Sequence, residues 1–207
     1  MITGHTTFSP YWNSIKGGDW DQNEINFQFN SERQARRKVV GPVVCDLSQY
    51  TFFEAVSDHF MTGAKWEDTA FYKYKENANE GGMYSPDKLV ERVHFLAKLY
   101  DDMVKNGYKT QNEITRDWHL KEYIKNAKNL IPMMNEIKVA IDRNGEILFK
   151  DGRHRLAVAQ VAGVASIPVR VIARHALWQK KRTQLLDTSH NHEYHSHPDL
   201  ITCRSKK

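Results

Sequence analysis

The chain has little of what staples a small extracellular protein or fixes one to a membrane. Of its 207 residues 2 are cysteines, Cys45 and Cys203. Neither belongs to a Cys-x-x-Cys pair or a zinc-ribbon spacing, so neither a disulfide framework nor a cysteine-based zinc site is expected. A chain of this length buries roughly 70% of its unfolded surface without such staples. Residues 1–20 mix Gly, Ser, Thr, Trp and Lys and lack the unbroken apolar stretch of a secretory leader. The most apolar region, 156–172, is interrupted by Gln160, Gly163, Pro168 and Arg170. That is too often for a membrane span of roughly 20 apolar residues. The expectation is a soluble, cytoplasmic protein with no membrane partner. There is no internal repeat, no Walker A sequence and no Gly-x-Gly-x-x-Gly pattern.

What is present is a single-domain amount of apolar sequence, 40% of residues, and a net charge of +5 that is unevenly spread. Residues 1–149 hold 19 Lys and Arg against 21 Asp and Glu, whereas 150–207 hold 11 against 4. The carboxyl-terminal part is thus the part that meets anions: a nucleotide, a phosphorylated metabolite or a nucleic acid backbone.

Periodicity divides the chain in the same way. Residues 1–40 read as an irregular arm with a short helix at 31–38, and 39–47 as a strand. Ser48 is a candidate N-cap for an amphipathic helix carrying Tyr50, Phe53, Val56 and Phe60, which Gly63 stops. A helix follows over 67–78. Ser85-Pro86 then starts the clearest helix of the chain, with Leu89, Val93, Leu96, Tyr100 and Val104 as its stripe and Asn106-Gly107 as its end. A polar helix is expected over 111–129. Beyond it the character changes: a strand at 137–142, a two-residue hairpin signal at Asn144-Gly145, a returning strand to Lys150, a helix over 153–162 with Gly163 as its C′ residue, a strand over 167–172, and a basic helix over 175–186. The fold class expected is α+β, one domain over 1–188 with a large helical amino-terminal portion. Residues 189–207, with four of the 10 histidines (His190, His192, His195 and His197), read as an unpacked tail. Without an ordered scaffold to hold them, those histidines are not expected to make a metal site.

The stretch that carries chemistry is Lys150-Asp151-Gly152-Arg153-His154-Arg155-Leu156-Ala157-Val158-Ala159. A strand ends, a glycine permits a tight turn, and a helix opens with three cationic or protonatable residues. A helix amino terminus already bears partial positive charge, so such residues there are unfavourable unless an anion faces them. A phosphate would satisfy the open N–H groups and both guanidinium groups together. Surface solvation of Arg153 and Arg155, with His154 packed under the hairpin, is the plainer alternative.

This segment, with Gly163 and Ile167-Pro168-Val169-Arg170-Val171 after it, resembles the core of the ParB/sulfiredoxin-like superfamily over about 136–173. Sulfiredoxins place a cysteine directly before the His-Arg pair, where this chain has Arg153, so sulfinic acid reduction is not implied. Partition proteins of the family have a Glu-Arg-Arg motif and a helix-turn-helix domain, for which the 35 residues after Ile172 are too few. The family's free serine kinases, with Asp-Gly-His-His-Arg, are nearest in motif. The resemblance implies binding of ATP or another nucleoside triphosphate through Gly152, Arg153, His154 and Arg155. It also implies phosphoryl transfer or hydrolysis helped by Mg²⁺, with Asp151 and His154 as catalytic candidates and a small-molecule acceptor.

Such a reaction needs a base and usually carboxylates for the metal; besides Asp151 these could be Asp142, Asp46, Glu67 or Asp68, and spacing does not choose among them. Arg174, His175 and Trp178 are candidates to close over a nucleotide, the indole stacking on the base. Arg170, Arg174, Lys180, Lys181 and Arg182 otherwise form a solvated basic face. Two other classes are open: a nucleic acid-binding module whose cationic cap grips backbone phosphates, and a non-catalytic adaptor that binds a protein through its helical region.

Overall fold

A computed structural model of the chain describes residues 3–5, 14–22, 43–46, 51–77, 86–116, 136–187 and 197–200. The chain is a mixed α+β protein built on a six-stranded sheet. In chain order the strands are β1 (Thr3–His5), β2 (Ser14–Lys16), β3 (Val43–Asp46), β4 (Lys138–Ile141), β5 (Ile147–Asp151) and β6 (Arg170–His175). The helices are α1 (Thr51–Ser57), α2 (Ala70–Asn77), α3 (Pro86–Asn106), α4 (Gln111–Arg116), α5 (Arg153–Val161) and α6 (Ala176–Asp187). The spatial strand order is β2-β6-β4-β5-β1-β3. β4 runs parallel to β6 and antiparallel to β5, and β2 adds in parallel outside β6.

β4 is buried along its whole length, as a central strand covered on both faces must be. Alternation along the strands sends Val139 and Phe149 to the helical side, where they join Phe52, Val56, Leu96, Leu156 and Val158 in the main core. Ala140, Leu148 and Ala173 face the other way and pack with Trp20. α5 crosses from β5 to β6 beneath α1 and α3. Because it is covered on several sides, Leu156, Ala157, Val158 and Ala159 are all buried, a fuller burial than its expected stripe of Leu156, Ala159 and Val161.

Local signals account for most boundaries. Gly163, at φ 69, ends α5 in a Schellman motif, with Val164 N–H donating to Ala159 O at 3.0 Å and Gly163 N–H to Gln160 O at 3.2 Å. Gly63 ends a π-helical turn, Asp58–Thr62, that continues α1. Four expectations need correction. The helix expected from 67 starts at Ala70, because Thr69 Oγ1 accepts the Tyr72 N–H at 3.2 Å and acts as the cap; a short 3₁₀ turn, Trp66–Asp68, precedes it. On α3 the inward residue of the last turn is Met103, 4% exposed, while Val104 is 57% exposed. The hairpin loop is longer than two residues: Asp142 N–H donates to Glu146 O, leaving Arg143, Asn144 and Gly145 as a three-residue loop with Gly145 at φ 98. Finally, residues 197–200 of the tail are packed, with Asp199 and Leu200 buried. The helix expected at 31–38, the cap Ser48, residues 117–129 and the remaining tail histidines lie outside the described residues. Among the described residues no helix is long and apolar enough to cross a membrane.

Candidate functional site

Strand register divides the expected site residues between two ends of the sheet. Lys138 pairs with both Asp151 and Arg170, and Ile141 with both Ile147 and Arg174. Asp151 and the start of α5 therefore sit where β4 and β6 begin, while Asp142, Arg174 and His175 sit where those strands finish. At about 3.3 Å per residue the two ends are roughly 15 Å apart.

At the first end the turn is built by Gly152. Its φ is 95, and a Cβ there would lie 3.0 Å from Ile137 Cα, so both the backbone conformation and the close approach to β4 require glycine. Asp151 Oδ1 accepts the Gly152 N–H at 2.8 Å, and Oδ2 pairs with Lys138 Nζ at 2.9 Å. The carboxylate is otherwise solvent-facing, with 63% of its side chain exposed. The first intrahelical bond runs from Leu156 N–H to Gly152 O.

The three residues that open α5 have three different environments. Arg153 lays its guanidinium over the Phe52 ring, 5.5 Å from the centroid, and among the described residues it has no carboxylate partner. His154 is packed edge-on against Phe52, with ring centroids 5.0 Å apart, and its Nε2 lies 2.8 Å from Arg92 NH1. Burial, then the charges of Arg153 and Arg92, pull its pKa down to about 3, so the ring is neutral at pH 7. Arg155 turns inward. Its NH1 meets Glu136 Oε2 at 3.0 Å, its NH2 donates to Lys109 O, and its guanidinium covers the Tyr108 ring at 4.4 Å. Burial pushes the Tyr108 hydroxyl up from its ordinary value, against the opposing charge of Arg155.

The unfavourable cationic cap read from the sequence is therefore relieved in part within the chain. Glu136 neutralises Arg155, His154 carries no charge, and only Arg153 keeps a guanidinium at the turn without a carboxylate. Arg155, expected on a phosphate, is a buried partner of Glu136 that ties α5 to the loop before α4.

The second end holds no nucleotide clamp. Trp178 is fully buried, its indole Nε1–H donating to Asp199 Oδ2 at 3.1 Å and its ring packed on His197, centroids 4.5 Å apart; it is not available to stack on a base. Arg174 donates to both oxygens of Asp199, and Arg182 lies 3.1 Å from the same carboxylate. Burial raises the Asp199 carboxyl, but the bonds from Arg174 and Trp178 outweigh it and hold the group below its ordinary value. His175, 3% exposed, bonds Gly18 O through Nε2 and accepts the Leu177 N–H at Nδ1. Asp142 accepts the N–H groups of Asn144 and Glu146 at 2.8 and 2.7 Å and serves as the hairpin's turn residue. Asp142, Arg174, His175 and Trp178 are thus set aside as site residues. Glu67 and Asp68 are exposed in the 3₁₀ turn before α2.

Sequence reasoning missed Arg92, Glu136, Asp21 and Asp199. None carried a local signal, since each acts on a residue distant in the chain. Among the described residues no group of three or more His, Cys, Asp or Glu side chains could hold a metal ion. Comparisons of the chain with family models, curated proteins and solved structures find no match.

Proposed function

We propose that the chain binds the phosphates of a nucleotide at the turn from β5 into α5, using the backbone N–H groups that follow Gly152 together with Arg153 and His154. The observation that carries this reading is the uncompensated positive charge there. Arg153 has no carboxylate partner among the described residues, and the neutral His154 stands between it and Arg92. A phosphate facing a helix amino terminus supplies the missing negative charge. The resemblance to the ParB/sulfiredoxin-like superfamily, nearest to its free serine kinases, points the same way and makes ATP the leading ligand.

Phosphoryl transfer to a small acceptor, or hydrolysis, is the activity that resemblance implies. Asp151 is the carboxylate at the turn and the candidate for general base or for a Mg²⁺ that arrives on the nucleotide. A Mg²⁺ shell commonly takes only one or two protein carboxylates together with substrate phosphates, which a single Asp151 fits. Mg²⁺ would supply charge neutralisation between phosphate oxygens; the chain's own part is to orient the phosphates against Arg153 and the helix amino terminus. His154 is not suited to act as base, because its Nε2 already accepts from Arg92.

A nucleic acid grip finds less support. Arg174 and Arg182 are committed to Asp199, which removes two of the five residues of the basic face read from the sequence.

Calorimetric titration with ATP, ADP, CTP and GTP in the presence of Mg²⁺, on the native chain and on Arg153→Ala, tests the proposal. The expected result is binding of at least one nucleotide, weakened about tenfold or more by the substitution. Absence of binding by all four contradicts it. Arg153→Ala forfeits only a cation–π contact worth about 0.5–1 kcal/mol, so the variant remains folded.

A further inference from the structure

His154 is a histidine whose surroundings already fix its protonation, and the residue that fixes it lies outside the motif. Arg92, in the second turn of α3, sets NH1 2.8 Å from His154 Nε2. A guanidinium has donors only. Nε2 must therefore be the acceptor, and the single proton of the neutral ring must sit on Nδ1. Among the described residues nothing bonds to Nδ1. The edges of Phe52 and Phe95, 5.0 and 6.5 Å away between centroids, pack the ring and limit its rotation.

We infer that Arg92 is a positioning residue that holds His154 as the neutral Nδ1–H tautomer, presenting that N–H as a donor to a phosphate oxygen bound beside Arg153. For its ligand this rests on the phosphate reading above; for the tautomer it does not. The charged form of the ring is disfavoured independently, by burial and by the two guanidinium groups. His154 thus acts as a fixed neutral donor and carries no proton to or from a reacting group.

The test is imidazole ¹⁵N NMR on the full chain, with pyrophosphate as probe and the His154 resonances assigned by their loss in His154→Gln. The native chain is expected in the Nδ1–H form throughout pH 5 to 8, with its Nδ1 resonance moved by pyrophosphate. Arg92→Met, which removes the donor, is expected to shift His154 to the Nε2–H form and to weaken pyrophosphate about tenfold or more; Arg92→Lys, which keeps a donor, is expected to preserve the tautomer and bind within about threefold of native. An Nε2–H form in the native chain, or an unchanged tautomer in Arg92→Met, overturns the inference whether or not nucleotides bind. Calorimetric binding of ATP or pyrophosphate that leaves the Nδ1 resonance in place overturns the donor role and spares the nucleotide reading. Failure of pyrophosphate and of all four nucleotides to bind overturns both.

Discussion

Arg153 and Arg155 stand two positions apart in one motif, yet the fold gives them opposite work. Arg155 is 8% exposed and paired with Glu136. Removing one partner of a buried pair strands the other, at about 3–5 kcal/mol. Arg155→Ala is therefore expected to lower stability by about that amount in urea denaturation, with or without nucleotide, so loss of binding in that variant says nothing about phosphates. Gly152→Ala places a methyl group 3.0 Å from Ile137 Cα at φ 95 and is expected to destabilise by about 1–3 kcal/mol. His154 makes a pH signature. Its folded pKa is depressed to about 3 from 6.5, so between those values the unfolded chain binds a proton that the folded chain refuses. Stability is then full above about pH 6.5 and falls as the pH drops, by up to about 1.4 kcal/mol per unit. Denaturation midpoints measured from pH 7 to 4.5 should show this slope in the native chain and a flatter one in His154→Phe. An equal slope in the two would contradict the neutral assignment.

At the scale of elements, two segments distant in the chain are fastened to the far end of the sheet by the same device. His175 donates from Nε2 to Gly18 O and accepts the N–H of Leu177; His197 donates to Gly145 O and accepts the N–H of Asp199. Beside them Asp21 holds Arg143, and Asp199 holds Arg174, Arg182 and Trp178. Asp199→Ala leaves two half-buried guanidinium groups without their shared carboxylate. It is expected to cost about 3 kcal/mol and to speed hydrogen exchange of the amides of Asp199 and Leu200. Retained protection there would show that the segment is held otherwise.

The strand–hairpin–strand–helix–strand order from Lys138 to His175 was legible because its signals are local: a hairpin signal between two short strands, a glycine at the turn into α5 and a glycine C′ after it; the last strand lies at Arg170–His175, three residues beyond the expected 167–172. The hairpin came out one residue longer because Asp142 binds the N–H groups of Asn144 and Glu146 itself. The partners of the motif were not legible. Arg92 lies 62 positions from His154, and Asp21 lies 122 from Arg143. No spacing rule reaches across such separations; only the packing of α3 on α5 and of β2 beside β6 brings those groups together.

For the whole molecule, part of the positive charge beyond residue 150 is answered from within: Arg174 and Arg182 by Asp199 at the end of the sheet away from Gly152, and Arg155 by Glu136 beside the turn. At the α5 turn Arg153 has no carboxylate partner among the described residues. On the proposed reading, the charge asymmetry visible in the sequence serves a small anion site at that turn more than a basic surface. A nucleic acid interaction through neutralised phosphates would weaken steeply with salt, whereas a nucleotide seated at one turn would not; titrations at 50 and 200 mM salt should show the shallow dependence. The most direct test is amide chemical-shift mapping of the labelled chain with ATP and Mg²⁺. Shifts centred on Gly152, Arg153 and His154, with Arg92 beside them, are predicted. Shifts confined to β6 and α6 around Arg174 and Trp178, or none at all, would contradict the account.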